Sequence, residues 1–342
     1  MRNLTSTACL LSICLLTTAC AATQIHVAPD GQAGAAGTAD APLADLAEAA
    51  ERANPGDVIR IKGGTYHVAE TIKLTHSGAP DNPIRIEPAD DIRPVFDFSQ
   101  QETHHLARGI EVNGDYWHII GIEVMGAGDN GFYISGSHNV IERCVAHHNR
   151  DTGFDVHQPG SHNLITHCDS YRNFDAHTNG ENADGFSAKH DVGPGIVFRF
   201  CRAWENADDG WDLWKATNSV RIEDSIAFRN GVNLDHLPEY EGDGNGFKLG
   251  GDHLPGPHVV VRCVAIDHWF RGFNQNNNTA ALTIEDSTAI NCNVGFHFPR
   301  APETGNHILR HNISYNCETN NIAEGTVQEG NQWITELATP GR

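Results

Sequence analysis

Asp208, Asp209 and Asp212 put three carboxylates into five residues of the stretch Asn206-Ala207-Asp208-Asp209-Gly210-Trp211-Asp212. A related stretch upstream, Asn182-Ala183-Asp184-Gly185-Phe186, carries a fourth. Downstream, Gly244-Asn245-Gly246-Phe247-Lys248 ends on an amine. If the chain folds back on itself with a matching period, Asp184, Asp208, Asp209, Asp212 and Lys248 meet on one surface. Carboxylates that close cannot all stay ionised without a cation. A hard ion with about six to eight oxygen ligands, Ca²⁺, suits them better than Mg²⁺ or Zn²⁺. Beside such an ion the ammonium form of Lys248 is disfavoured, and a lysine of lowered pKa is a general base. The chemistry on offer is metal-assisted proton abstraction, as in β-elimination next to a sugar carboxylate. Taken alone, the same residues also read as an acidic, solvated turn and a surface lysine.

That meeting needs a repeat, and the sequence has one. Gly-aromatic pairs recur at Gly131-Phe132, Gly153-Phe154, Gly185-Phe186, Gly210-Trp211, Gly246-Phe247, Gly272-Phe273 and Gly295-Phe296, with steps of 22, 32, 25, 36, 26 and 23 residues between aromatics. A second register runs through Cys144, Cys168, Cys201, Ser225, Cys263, Ser287 and Asn312, and a third through Asn149, Asn173, Asn206, Asn230 and His268. The short steps match one coil of three strands and turns, and the long ones a coil with an inserted loop. The spacing predicts an all-β, right-handed parallel β-helix of about ten coils. Like side chains then stack at the ~4.8 Å strand spacing. The residue after each aromatic points outward: Tyr133, Asp155, Ser187, Asp212, Lys248, Asn274 and His297. Asp212 and Lys248 thus fall on successive coils. The Cys/Ser register keeps side-chain vectors parallel, whereas a disulfide needs them converging, so buried free thiols are expected rather than bridges.

Ahead of the repeat, a helix over Pro42–Asn54 followed by short strands at Val58–Ile61, Thr71–Leu74 and Ile84–Ile86 fits the end cap of a solenoid. Residues 1–22 read as a signal peptide: a basic Arg2, an apolar run, then small residues. Thr17-Thr18-Ala19-Cys20 loosely fits a lipid-attachment pattern, so the protein is expected to be secreted or held at the cell envelope. Residues 23–342 form one domain, with a C-terminal coil and tail at 318–342. A net charge of −21 argues against nucleic acid as a partner. It leaves a polyanionic substrate awkward unless a cation neutralises the site.

The three site stretches, with Gly242 through Gly251 and Gly272-Phe273-Asn274-Gln275-Asn276-Asn277-Asn278, resemble the motifs of family 9 polysaccharide lyases over roughly residues 25–317. The resemblance implies a pectate-lyase-type β-helix. It implies Ca²⁺ ligation by Asp184, Asp208, Asp209 and Asp212, a catalytic Lys248, and a monomer acting on polygalacturonate or pectin. Lys189-His190-Asp191 departs from the expected pattern, a less charged strand end. Lys189, Lys215, Arg271 and Asn276 are the candidate substrate contacts. Rival readings are an inverting pectin hydrolase using Asp208, Asp209 and Asp212 as acid and base, a lyase on another uronate such as alginate, and a non-catalytic surface β-helix.

Overall fold

The computed structural model describes residues 22–234 and 236–335. The proposed leader and Cys20 lie outside them, apart from Ala22, as does the tail beyond 335. No helix among the described residues is long and apolar enough to cross a membrane.

Three parallel sheets of 12, 10 and 11 strands wind into one solenoid. Each strand is short, two to five residues, and pairs with its equivalent in the coils before and after. The aromatic register becomes a column inside the coil. Phe132, Phe154, Phe186, Trp211, Phe247, Phe273 and Phe296 stack with neighbouring centroids 4.8 to 5.1 Å apart. All seven are fully buried. The glycine before each aromatic is there for space. A Cβ on Gly210 would lie 2.5 Å from the Gly246 carbonyl oxygen, and one on Gly246 would lie 2.7 Å from that of Gly272.

The asparagine register is a buried amide ladder. Asn149 Nδ2 donates to Asn173 Oδ1 (2.9 Å), Asn173 to Asn206 (2.8 Å), and Asn206 to Asn230 (2.9 Å). His268 continues it with its Nδ1 3.4 Å from the Asn230 carbonyl. Cys144, Cys168, Cys201, Cys263, Cys292 and Cys317 are all buried and free, as the parallel geometry requires.

The helix differs from its expected span. It covers Leu46–Arg52 rather than 42–54. Leu43 is held in extended pairing, its N–H donating to the His26 carbonyl and its carbonyl accepting from Ala28. Asp45 then caps the helix, its Oδ1 accepting from the Ala47 N–H at 2.8 Å. The helix still closes the N-terminal end, burying Leu46, Ala49 and Ala50. At the other end, strands at Thr319–Ile322, Val327–Glu329 and Gln332–Ile334 complete a further coil.

Candidate active site

The ten-stranded sheet carries the site. Its outward ladder pairs Tyr133 with Asp155, Asp155 with Ser187, Ser187 with Asp212, Asp212 with Lys248, and Lys248 with Asn274. Asp184 and Asp209 stand just before the glycines of adjacent coils. Their backbones are tied by a hydrogen bond from the Gly185 N–H to the Asp209 carbonyl.

Each central carboxylate has one oxygen fixed from behind. Asp184 Oδ1 accepts from the Asp209 N–H (3.1 Å), and Asp212 Oδ1 from the Trp214 N–H (2.9 Å). Asp209 Oδ1 accepts twice from Asn245, from its N–H (2.7 Å) and its Nδ2 (2.8 Å). The second oxygens of these three residues face one another. Ligand atoms of Asp184, Asp209 and Asp212 lie within 4.8 Å of each other, and all three residues are buried. Asp209 Oδ2 has no hydrogen-bond partner although it is fully buried. A convergent set of hard oxygens, one of them fully buried with only the Lys248 ammonium opposite it at 3.2 Å, fits a bound cation of the Ca²⁺ type. The four aspartates expected from sequence fall into two sets that share Asp209. Asp208 groups with Asp209 and Asp243 instead, and its oxygens accept from the Asn182 and Asp243 N–H groups.

Two ammonium groups enter the cluster. Lys248 Nζ lies 3.2 Å from Asp209, 3.4 Å from Asp212 and 3.0 Å from Asp243. Lys189 Nζ lies 2.7 Å from Asp184 Oδ2 and 3.0 Å from Asp212 Oδ2. Burial pushes Asp184 and Asp209 well above the usual carboxylate range and Asp208 up to about 6. Asp212 runs the other way: burial opposes ionisation, but Lys189 and Lys248 together hold it low. Burial would also lower the Lys248 pKa, yet the carboxylates of Asp212, Asp209, Asp208 and Asp243 hold it well above its ordinary value. The sequence reading expected a depressed lysine beside an ion. The surrounding carboxylates by themselves make Lys248 an ion-paired ammonium, so its basicity depends on positive charge brought to them.

The other candidate contacts separate. Lys189 belongs to the centre itself. Arg271 sits on the next strand, paired with Asn245, its guanidinium 3.6 Å over the Phe270 ring. Lys215 turns to Asp252 at 2.9 Å, and its ammonium also sits 4.2 Å over the Trp214 ring. Asn276 spends its amide on the Gly250 carbonyl at 2.9 Å, which makes it a turn-forming residue. Asp243 and Asn245 were missed as site residues. Both end the long insertion between Trp211 and Phe247, where the repeat loses its period. A second acidic group was missed as well. Asp129, Asp151 and Asp155 line a cavity of about 230 Å³ with Arg108, His157 and Lys189. Asp155 was legible only as an outward position.

A larger cavity, about 440 Å³, is lined by Val232, Leu234, Leu237 and Tyr240. Glu205, which lines it, is already paired with Arg172 and Arg229. The chemistry therefore sits on an open face of the coil, a shape that suits a polymer.

A family model described as a Pel9A-like, right-handed β-helix region matches residues 25–323. Pectate lyase L of Dickeya chrysanthemi is 39% identical over 320 residues, which cover 91% of this chain and 75% of that protein. The crystal structure of pectate lyase Pel9A superposes with a TM-score of 0.85 at 38% identity, covering 90% of this chain and 80% of that one. A rhamnogalacturonan lyase superposes with a TM-score of 0.79 at 27% identity, covering 90% and 86%.

Proposed function

The chain belongs to the Pel9A-like right-handed β-helix family, and from that premise we propose that it cleaves polygalacturonate by β-elimination, with Lys248 as the base. The enzyme class is that of its relatives, a polysaccharide lyase. One observation carries the assignment: Lys248 is the outward residue directly paired with Asp212, and its amine touches the carboxylates of Asp209 and Asp212.

Asp184, Asp209 and Asp212, with Asp208 behind Asp209, are the residues that would hold Ca²⁺. When bound, the ion supplies charge that neutralises the substrate carboxylate and acidifies the carbon–hydrogen bond next to it. Lys248 Nζ accepts the C5 proton. The electron pair released becomes the C4–C5 double bond, the C4–oxygen bond breaks, and the leaving oxygen takes a proton from solvent. Asn245 keeps Asp209 aimed through two hydrogen bonds. Arg271, on the strand after Lys248, is a further cation available to a uronate chain. The leader-like residues 1–22 support action outside the cytoplasm.

The test is a chromatogram of products from polygalacturonate with and without Ca²⁺. Unsaturated, ultraviolet-absorbing products that vanish with a chelator support the assignment. Saturated products would make the enzyme a hydrolase. The similarity to a rhamnogalacturonan lyase calls for that polymer as a second substrate, and cleavage of it alone would move the specificity there while leaving the chemistry intact.

A further inference from the structure

Lys189 ends the strand Phe186–Lys189, in register with His157 one coil earlier. Its side chain is 13% exposed, and its ammonium spans Asp184 Oδ2 and Asp212 Oδ2 at 2.7 and 3.0 Å. These two residues supply two of the three converging carboxylates. A Ca²⁺–oxygen contact is about 2.4 Å, so an ion on those oxygens and this ammonium claim the same space. Like charges so close also repel strongly in a buried site. Lys189 has another acidic place to go. It already lines the cavity that holds Asp129, Asp151 and Asp155. Of these, Asp155 is engaged by Ser187 and by His157 at 3.4 Å, and Asp129 approaches Arg108 only at 3.7 Å. Asp151 has no ion pair among the described residues. Burial raises Asp129 to about 6 and Asp151 to about 7, and the Lys189 charge opposes that rise at Asp151.

We propose that Lys189 is a built-in counter-ion: it holds Asp184 and Asp212 when no divalent ion is present, competes with that ion for them, and swings into the Asp129–Asp151–Asp155 cavity when the ion binds. Lys189 thereby sets the ion affinity of the site. The inference rests on the metal-assisted reading above and concerns positioning of the ligands, not proton transfer.

Calorimetric titration of the full chain with CaCl₂ tests it, comparing wild type with Lys189→Met and Lys189→Arg. Methionine keeps the length and removes the charge, so Lys189→Met binds Ca²⁺ tighter by about tenfold or more. Lys189→Arg keeps the competing charge and does not gain. In chelator Lys189→Met melts below wild type, because Asp184 and Asp212 lose their partner. Its rise in Tm on adding Ca²⁺ is correspondingly the larger of the two. Equal or weaker Ca²⁺ binding by Lys189→Met overturns the proposal while leaving the metal reading standing. Binding by neither protein overturns both. Crystal structures of the wild type with and without Ca²⁺ read the same point without a substitution. A lysine still on Asp184 and Asp212 beside the bound ion overturns the competition.

Discussion

Lys248 and the aspartates make separable contributions, and substitution should separate them. Lys248→Ala lowers kcat by about 10²–10⁴-fold, the usual worth of a positioned base. It binds Ca²⁺ at least as tightly as wild type, since it removes a positive charge from the ligands. Lys248→Arg fails almost as badly, because a guanidinium does not give up its proton. Asp209→Ala instead weakens Ca²⁺ binding, and excess Ca²⁺ restores part of the rate. Retention of more than about a tenth of turnover by Lys248→Ala would move the search for the base elsewhere. Lys189 and Lys215 come next, although Lys215 is already committed to Asp252. The neighbouring acids make a pH prediction. Burial raises Asp129 and Asp151 from 3.8 to about 6 and about 7. The native state then binds their protons more tightly than the unfolded chain. Their stabilising effect is fully present below 3.8 and is lost as pH rises through about 7. Thermal melts in chelator should show Asp151→Asn gaining on wild type as pH climbs across that window. A difference that stays flat with pH would show that Asp151 titrates normally.

At the scale of the coil, two devices hold the register. The first is close approach through the glycine column. Gly272 lies away from the aspartates, and a Cβ there would meet the Gly295 carbonyl oxygen at 2.7 Å and Ala289 Cβ at 2.9 Å. Gly272→Ala must spread two coils and should cost about 1–3 kcal/mol, read as a lower urea midpoint at unchanged slope. Wild-type stability in that variant would mean the coils separate freely. The second device is a corner in left-handed backbone. Arg143, His167, Phe200, Asp224, Arg262, Asp286 and His311 occupy one such column with φ between 49° and 55°. Few non-glycine residues adopt this conformation, and His167, Asp224, Asp286 and His311 are of the types that do so more readily, whereas Arg143, Phe200 and Arg262 are not. The stacked neighbours above and below hold each one there. The Asn149–Asn230 ladder works differently, satisfying buried turn N–H groups and its own amides together.

For the molecule as a whole, the coil explains why the six cysteines among its described residues carry no bridges. Cys144, Cys168 and Cys201 follow one another in a single inward column, bonded to carbonyls of their own coil and the one before. Thiol titration of the unfolded protein without reductant should count all six cysteines from Cys144 to Cys317. Loss of two or more pairs would contradict the columnar packing. The same solenoid reconciles a charge of −21 with an acidic polymer as substrate. Lys189, Lys248 and Arg271 come from three different coils, yet all three stand on strands of one sheet.

The repeat was readable because stacking is a one-dimensional code. Identical chemistry recurs at each coil, so Phe186, Trp211 and Phe247, and with them Asp212 and Lys248, could be aligned by counting. The helix was readable as an element but not in its bounds, because the pairing of Leu43 with the first strand overrode the proline signal. Whatever depends on side chains meeting across coils at irregular spacing was decided only by the tertiary structure. Asp243 arrives from a long insertion, its N–H donates to Asp208, and Lys189 folds back across a strand end onto two carboxylates. Spacing fixes which residues share a face. Which oxygen each carboxylate leaves free is set by the backbone N–H groups behind it, and those are placed only when the coils close.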